Sequence, residues 1–60
     1  MTNQQQRILE LEHRRAKSIG RQRAGDYGSY ENIKKVLAVL GLTPDEFERE
    51  ARQVANELRI

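Results

Sequence analysis

The sequence predicts an all-α fold, a small three-helix domain with a C-terminal helix–turn–helix hairpin. Apolar residues recur every three or four positions in three separate segments. Residues that typically start or end helices bound each segment. We therefore expect one domain spanning residues 1–60, with helices at about 3–20, 30–40 and 44–59 and a glycine-rich connection at 20–29.

The first helix is predicted to start at Thr2, because Thr2 and Gln5 have the spacing of a capping box. Its apolar residues fall on one arc of the helical wheel: Ile8, Leu9, Leu11, Ala16 and Ile19. Glu12 and Arg15 interrupt this arc. Glycines begin at Gly20, so the helix is expected to end between residues 19 and 24.

The second helix is predicted to begin after Ser29, a residue type that commonly caps helix starts. It is expected to end at Gly41, which adopts the left-handed cap conformation easily, with Leu42 folding back toward Leu37. Because only a short turn separates residues 30–40 from residues 44–59, the two helices should form the hairpin.

Several local signals set the start of the third helix. Thr43 and Glu46 have capping-box spacing, Pro44 suits the first helical position, and Leu42 and Phe47 have the spacing of a hydrophobic staple. The apolar residues of the hairpin are predicted to form the core: Ile33, Val36, Leu37, Leu40, Leu42, Phe47, Ala51, Val54 and Leu58. The first helix is expected to pack across this core, or to exchange with a second copy.

Charge is distributed unevenly along the chain. Residues 1–25 hold six basic and two acidic side chains, whereas residues 26–60 hold five basic and seven acidic ones. Four basic residues of the first helix project opposite its apolar arc, with Glu10 the only acid among them. We predict nucleic-acid binding, through phosphate contacts, by Arg7, Arg14, Lys17 and Arg21, with Arg23 extending the set.

Residues 33–50 resemble the helix-turn-helix family of DNA-binding proteins, with Leu42 and Phe47 at its expected core positions. The resemblance implies DNA reading by residues 44–52. The sequence departs from the family at Glu50, where that pattern has an apolar residue. The same helix would bring three carboxylates toward the phosphates: Asp45, Glu46 and Glu48. Because anionic repulsion opposes such docking, the first helix is the expected DNA contact.

Other chemical sites are weakly indicated. His13 is expected to be solvated; Glu10 lies three residues before it, a spacing used in di-iron bundles, but Glu10 points with the basic side. Tyr27 and Tyr30 flank the glycine turn, where they are expected to close a loop over the core rather than stack on bases. The chain has no cysteine, phosphate-binding glycine loop or nucleophile–base pair. We therefore expect no catalytic activity, metal or cofactor.

The leading functional prediction is a small non-enzymatic regulatory protein that binds DNA or RNA through its basic first helix. The alternative is an adaptor or inhibitor that docks on a larger protein. Such short chains are common on phages and other mobile elements. A core this small favours a homodimer or larger oligomer. The absence of a long apolar run or leader pattern predicts a soluble, cytoplasmic protein that does not bind membranes.

Overall fold

A computed structural model, which describes all 60 residues, shows three α-helices, each packed against the other two. They are α1 (Asn3–Gln22), α2 (Tyr27–Val39) and α3 (Pro44–Glu57). The predicted all-α fold with three helices is confirmed, and the structure contains no strand. None of the helices is both long and apolar enough to cross a membrane.

Capping boxes start α1 and α3, as their sequences predict. The Gln5 amide donates to the Thr2 hydroxyl at 3.1 Å, and the Thr2 amide donates to the Gln5 side chain at 2.8 Å. Thr43 and Glu46 repeat the arrangement at 3.2 and 2.9 Å, with Pro44 in the first position. The hydrogen bond from the Thr43 amide holds the pKa of Glu46 below its usual value, because it stabilises the carboxylate.

The start of α2 differs from the prediction. The helix begins at Tyr27, three residues early, and its N-cap is Asp26 rather than Ser29. Asp26 accepts hydrogen bonds from the Ser29 amide at 3.1 Å and the Ser29 hydroxyl at 2.9 Å, and these bonds lower the pKa of Asp26. Gly28 therefore lies inside the first turn, where a helix tolerates glycine. Gly41 follows the helix with φ +76°, the left-handed conformation expected there.

The ends of the third and first helices compare differently with their predicted positions. α3 stops at Glu57 rather than at residue 59, whereas α1 ends at Gln22, inside the expected range of residues 19–24 but past Gly20. Gly20 does not end α1; it is buried where α1 crosses α3. A Cβ atom at this position would overlap the carbonyl oxygen of Glu57 and lie 3.1 Å from the Cα atom of Leu58. Glycine is therefore present because the two backbones approach closely.

The core lies between the three helices. Its fully buried residues are Leu9, Ala16, Ile33, Leu37, Ala51, Val54 and Leu58. Half-buried residues pack around them: Ile19, Tyr30, Leu40, Leu42 and Phe47. Phe47 thus lies at the edge of the core rather than at its centre, and Val36 is half-buried outside the cluster. α1 contributes Leu9 and Ala16, so it completes the core within one chain.

Two long-range hydrogen bonds connect the helix ends. The Gln5 side-chain amide donates to the Leu40 carbonyl at 2.7 Å, joining the start of α1 to the end of α2. The Gly25 amide, between α1 and α2, donates to the Leu58 carbonyl at 2.8 Å, just beyond α3. Each bond satisfies a terminal carbonyl that a helix cannot pair internally.

Candidate nucleic-acid interface

Four basic residues, Arg7, Arg14, Lys17 and Arg21, lie on one side of α1, and all are exposed. At about 100° per residue, they fall within an arc of about 80° around the helix axis. At about 1.5 Å per residue, the row extends for about 21 Å between Arg7 and Arg21. We call these four residues the basic face of α1. Their length and spacing suit several contacts along one phosphate backbone.

The cations of the basic face are not held in salt bridges. None of its four side chains forms a salt bridge within the chain. By contrast, Arg15, Arg23 and Arg52 each lie within 4.0 Å of an acid three or four residues away in the sequence. The four charges of the basic face are therefore available to an anionic ligand without breaking an existing pair.

Arg23 is placed differently from the other four predicted contacts. It lies at the C-terminal cap of α1, beyond the last helical residue. Its guanidinium is 3.3 Å from the carboxylate of Asp26, the residue that caps α2. Arg23 is therefore paired at the junction between two helices, and the structure does not continue the row of the basic face through it.

The two candidate surfaces for nucleic acid, the basic face of α1 and the outer side of α3, differ in their number of carboxylates. Glu10 is the one acid on the side of α1 that carries the basic face. The outer side of α3 instead alternates in charge, with Asp45, Glu48, Arg49 and Arg52 around one shallow depression. This mixed surface lacks the cationic excess that phosphate binding requires, so α1 remains the better candidate.

His13 is not solvated, contrary to the sequence-based expectation. Only 13% of its side chain is exposed, and it lies between two carboxylates of α3. Nε2 is 2.7 Å from Oε1 of Glu50, and Nδ1 is 2.7 Å from Oε1 of Glu57. Burial opposes the charged ring, but the hydrogen bonds and the negative charges of Glu50 and Glu57 together outweigh it and raise the pKa of His13 above its usual 6.5.

The signal for this contact is present on α3. Glu50 and Glu57 are seven residues apart, so they share one side of the helix. Each follows an apolar residue of the buried stripe, Phe47 or Val54, by three positions. Two acids bordering a stripe in this way favour a basic partner on the helix packed against it. Because both carboxylates bind His13, neither pairs with the basic face.

Tyr27 and Tyr30 have different surroundings. Their rings meet edge to face, with centroids 6.2 Å apart. Tyr30 packs against the core, as expected, and the Lys34 amine lies 5.0 Å from the centre of its ring. Tyr27 is 63% exposed, so it does not close a loop over the core.

The remaining surface adds no chemical centre to this interface. No group of three or more histidine, cysteine, aspartate or glutamate side chains is placed to hold a metal ion. The candidate site consists of exposed cations on a single helix. No protein-family model, curated protein or solved structure matches the chain, so the interface is defined by its own geometry and charge.

Proposed function

We propose that this chain is a small non-enzymatic regulatory protein that binds DNA or RNA through the basic face of α1. Guanidinium and ammonium groups bind phosphate by charge-assisted hydrogen bonds, and a row of them suits a polyanion. The observation that carries the proposal is the combination of exposure and freedom: Arg7, Arg14, Lys17 and Arg21 all face solvent without an internal salt bridge.

The first expected result is a steep salt dependence of binding to duplex DNA. Four phosphate contacts would release about four counterions, giving a slope of log K against log salt concentration near −3 to −4. Fluorescence anisotropy with a labelled duplex, beginning at low salt, measures this slope. A structured RNA tested in the same way distinguishes the two nucleic acids. Undetectable binding to both at low salt would contradict the proposal.

Charge-neutralising variants locate the contact. Replacing Arg14, Lys17 and Arg21 with glutamine should flatten the salt slope and weaken binding on every sequence, because phosphate contacts position without specifying bases. The matched control replaces Lys35, Arg49 and Arg59, three exposed cations outside α1 that also lack salt bridges. Both variants lose the same charge, so equal losses of affinity would assign binding to net charge and not to the basic face.

A second candidate function is docking on a larger protein. The exposed large apolar side chains include Leu11 on α1, which is 54% exposed, and Val39 at the end of α2, which is 82% exposed. Ile8 lines a shallow depression with each of them. If the glutamine variant of α1 loses a protein partner while nucleic acid binds neither form, this second function replaces the first.

Self-association remains a prediction. The chain exposes 4234 Å², close to the roughly 4,000 Å² that scaling with mass gives for a monomer of this size. The total surface area therefore does not distinguish a monomer from a dimer. Light scattering across micromolar concentrations decides the matter, since a constant mass of 7.0 kDa would contradict the dimer.

A further inference from the structure

The strongest remaining feature is the histidine–glutamate cluster between α1 and α3. It consists of His13, Glu50 and Glu57, whose side chains are 13%, 16% and 7% exposed. Both ring nitrogens of His13 contact carboxylate oxygens at 2.7 Å. The distance between the α1 ring and the α3 carboxylates is typical of charge-assisted hydrogen bonds.

This geometry requires a particular protonation state of the ring. A neutral imidazole has one N–H donor and one lone pair, whereas the imidazolium donates from both nitrogens. Ionised carboxylates only accept hydrogen bonds. Two carboxylate contacts on one ring are therefore satisfied only by the imidazolium. Loss of the proton would leave a lone pair facing a carboxylate oxygen at hydrogen-bond distance.

We propose that the histidine–glutamate cluster is a pH-sensitive clamp, which holds α1 on α3 while His13 is protonated and weakens when the ring loses its proton. The proposal goes beyond nucleic-acid binding and does not depend on it. It concerns the attachment of the helix that carries the basic face.

The charged groups around the ring come from two helices. On α1, Glu10 precedes His13 by three residues and Lys17 follows it by four. On α3, Glu50 and Glu57 contact the ring directly. The Gln53 amide donates to the second oxygen of Glu57 at 3.2 Å, and Met1 lines the same surface depression as His13 and Glu50. No residue of α2 lines the depression that contains His13 and Glu50.

The direction of the pH effect follows from the raised pKa of His13. The folded state retains the ring proton at a pH where the unfolded chain has released it. The stabilisation is therefore complete below about pH 6.5 and disappears as the pH rises through the folded-state pKa. Between these two pKa values, the folding equilibrium constant should fall by up to about tenfold per pH unit.

Two measurements test the clamp. His13 is the only histidine, so an NMR titration of its ring assigns the folded-state pKa and the protons on both nitrogens without ambiguity. Urea denaturation between about pH 5.5 and about pH 9 then gives the folding constant of the whole chain. We expect both nitrogens to be protonated below the folded-state pKa of the ring, and the decline in stability to follow the ring titration.

Three variants give the comparison. His13→Gln should remove the part of the pH dependence of folding stability that comes from the ring. Any part that comes from the N-terminal amine should remain. Glu57→Gln replaces one carboxylate by a neutral acceptor and should lower the pKa of His13 toward its usual value. Glu10→Gln is the matched control, because Glu10 is an exposed acid on the same helix that accepts no hydrogen bond from the ring.

The clamp is overturned if the ring of the unmodified chain titrates at or below its usual pKa. It is also overturned if the folding constant of the unmodified chain follows that of His13→Gln at every pH. The first result needs no variant, so a failure of His13→Gln to fold leaves the proposal testable.

Discussion

Gly20→Ala is expected to destabilise the fold by about 2–3 kcal/mol, because the added methyl group has no space between α1 and α3. It would overlap the Glu57 carbonyl oxygen and lie 3.0 Å from the carbonyl carbon. Backbone atoms cannot move aside by changing rotamer, so the helices must separate. Alanine is otherwise favoured over glycine inside a helix by about 1 kcal/mol, which offsets part of the loss.

Gly28→Ala is the matched control for this change. Gly28 also lies inside a helix, but it is exposed, and a Cβ atom there would meet only the Asp26 carboxylate at 3.4 Å. We expect this variant to be neutral or slightly more stable. Thermal melts followed by circular dichroism compare both variants with the parent. A Gly20→Ala midpoint at or above that of the parent would show that the helices do not approach as closely as described.

Leu37→Ala is expected to cost about 2–5 kcal/mol, the range found for truncating buried leucines. Leu37 is 1% exposed and lies in the core cluster between the three helices. A chain of this length has a total stability of roughly 3–9 kcal/mol, at about 0.05–0.15 kcal/mol per residue. The variant should therefore be largely unfolded at a urea concentration that leaves the parent folded.

Two further variants place this effect at the centre of the core. Val39 lies two residues after Leu37, and its side chain is 82% exposed. Val39→Ala should therefore change the free energy of unfolding by less than about 0.5 kcal/mol. Phe47→Ala should cost less than Leu37→Ala, because Phe47 is half-buried at the edge of the cluster. Urea denaturation at one pH gives all three values. If Phe47→Ala lowers the free energy of unfolding more than Leu37→Ala does, Phe47 lies at the centre of the core and not at its edge.

The parts of the fold that sequence predicted well are those determined within one turn of helix. The capping boxes at Thr2 and Thr43 and the left-handed Gly41 depend on residues no more than three positions apart. The start of α2 differs from the prediction because Gly28 suggests a turn, whereas Asp26 caps the helix three residues before the predicted cap, Ser29. Both side chains at this start, Asp26 and Ser29, are common capping types, so local propensity alone does not choose between them.

Features that depend on another helix were harder to predict. Gly20 has the sequence appearance of a helix end, and only its contact with the Glu57 backbone explains its position inside α1. His13 appears solvated on a helical wheel until the Glu50–Glu57 edge of α3 is placed against it. The basic face of α1 was visible from spacing, but its freedom from salt bridges required the positions of all nine acids.

The bond between Gly25 and Leu58 has a consequence for amide exchange with solvent. Gly25 is exposed in a connecting segment, where backbone amides usually exchange quickly. Its partner, however, is the carbonyl of Leu58, whose side chain is fully buried. The hydrogen bond of this loop amide therefore breaks only when the segment around Gly25 separates from Leu58. Deuterium uptake at Gly25 should be as slow as in the core helices, which makes one loop amide a reporter of cooperative opening.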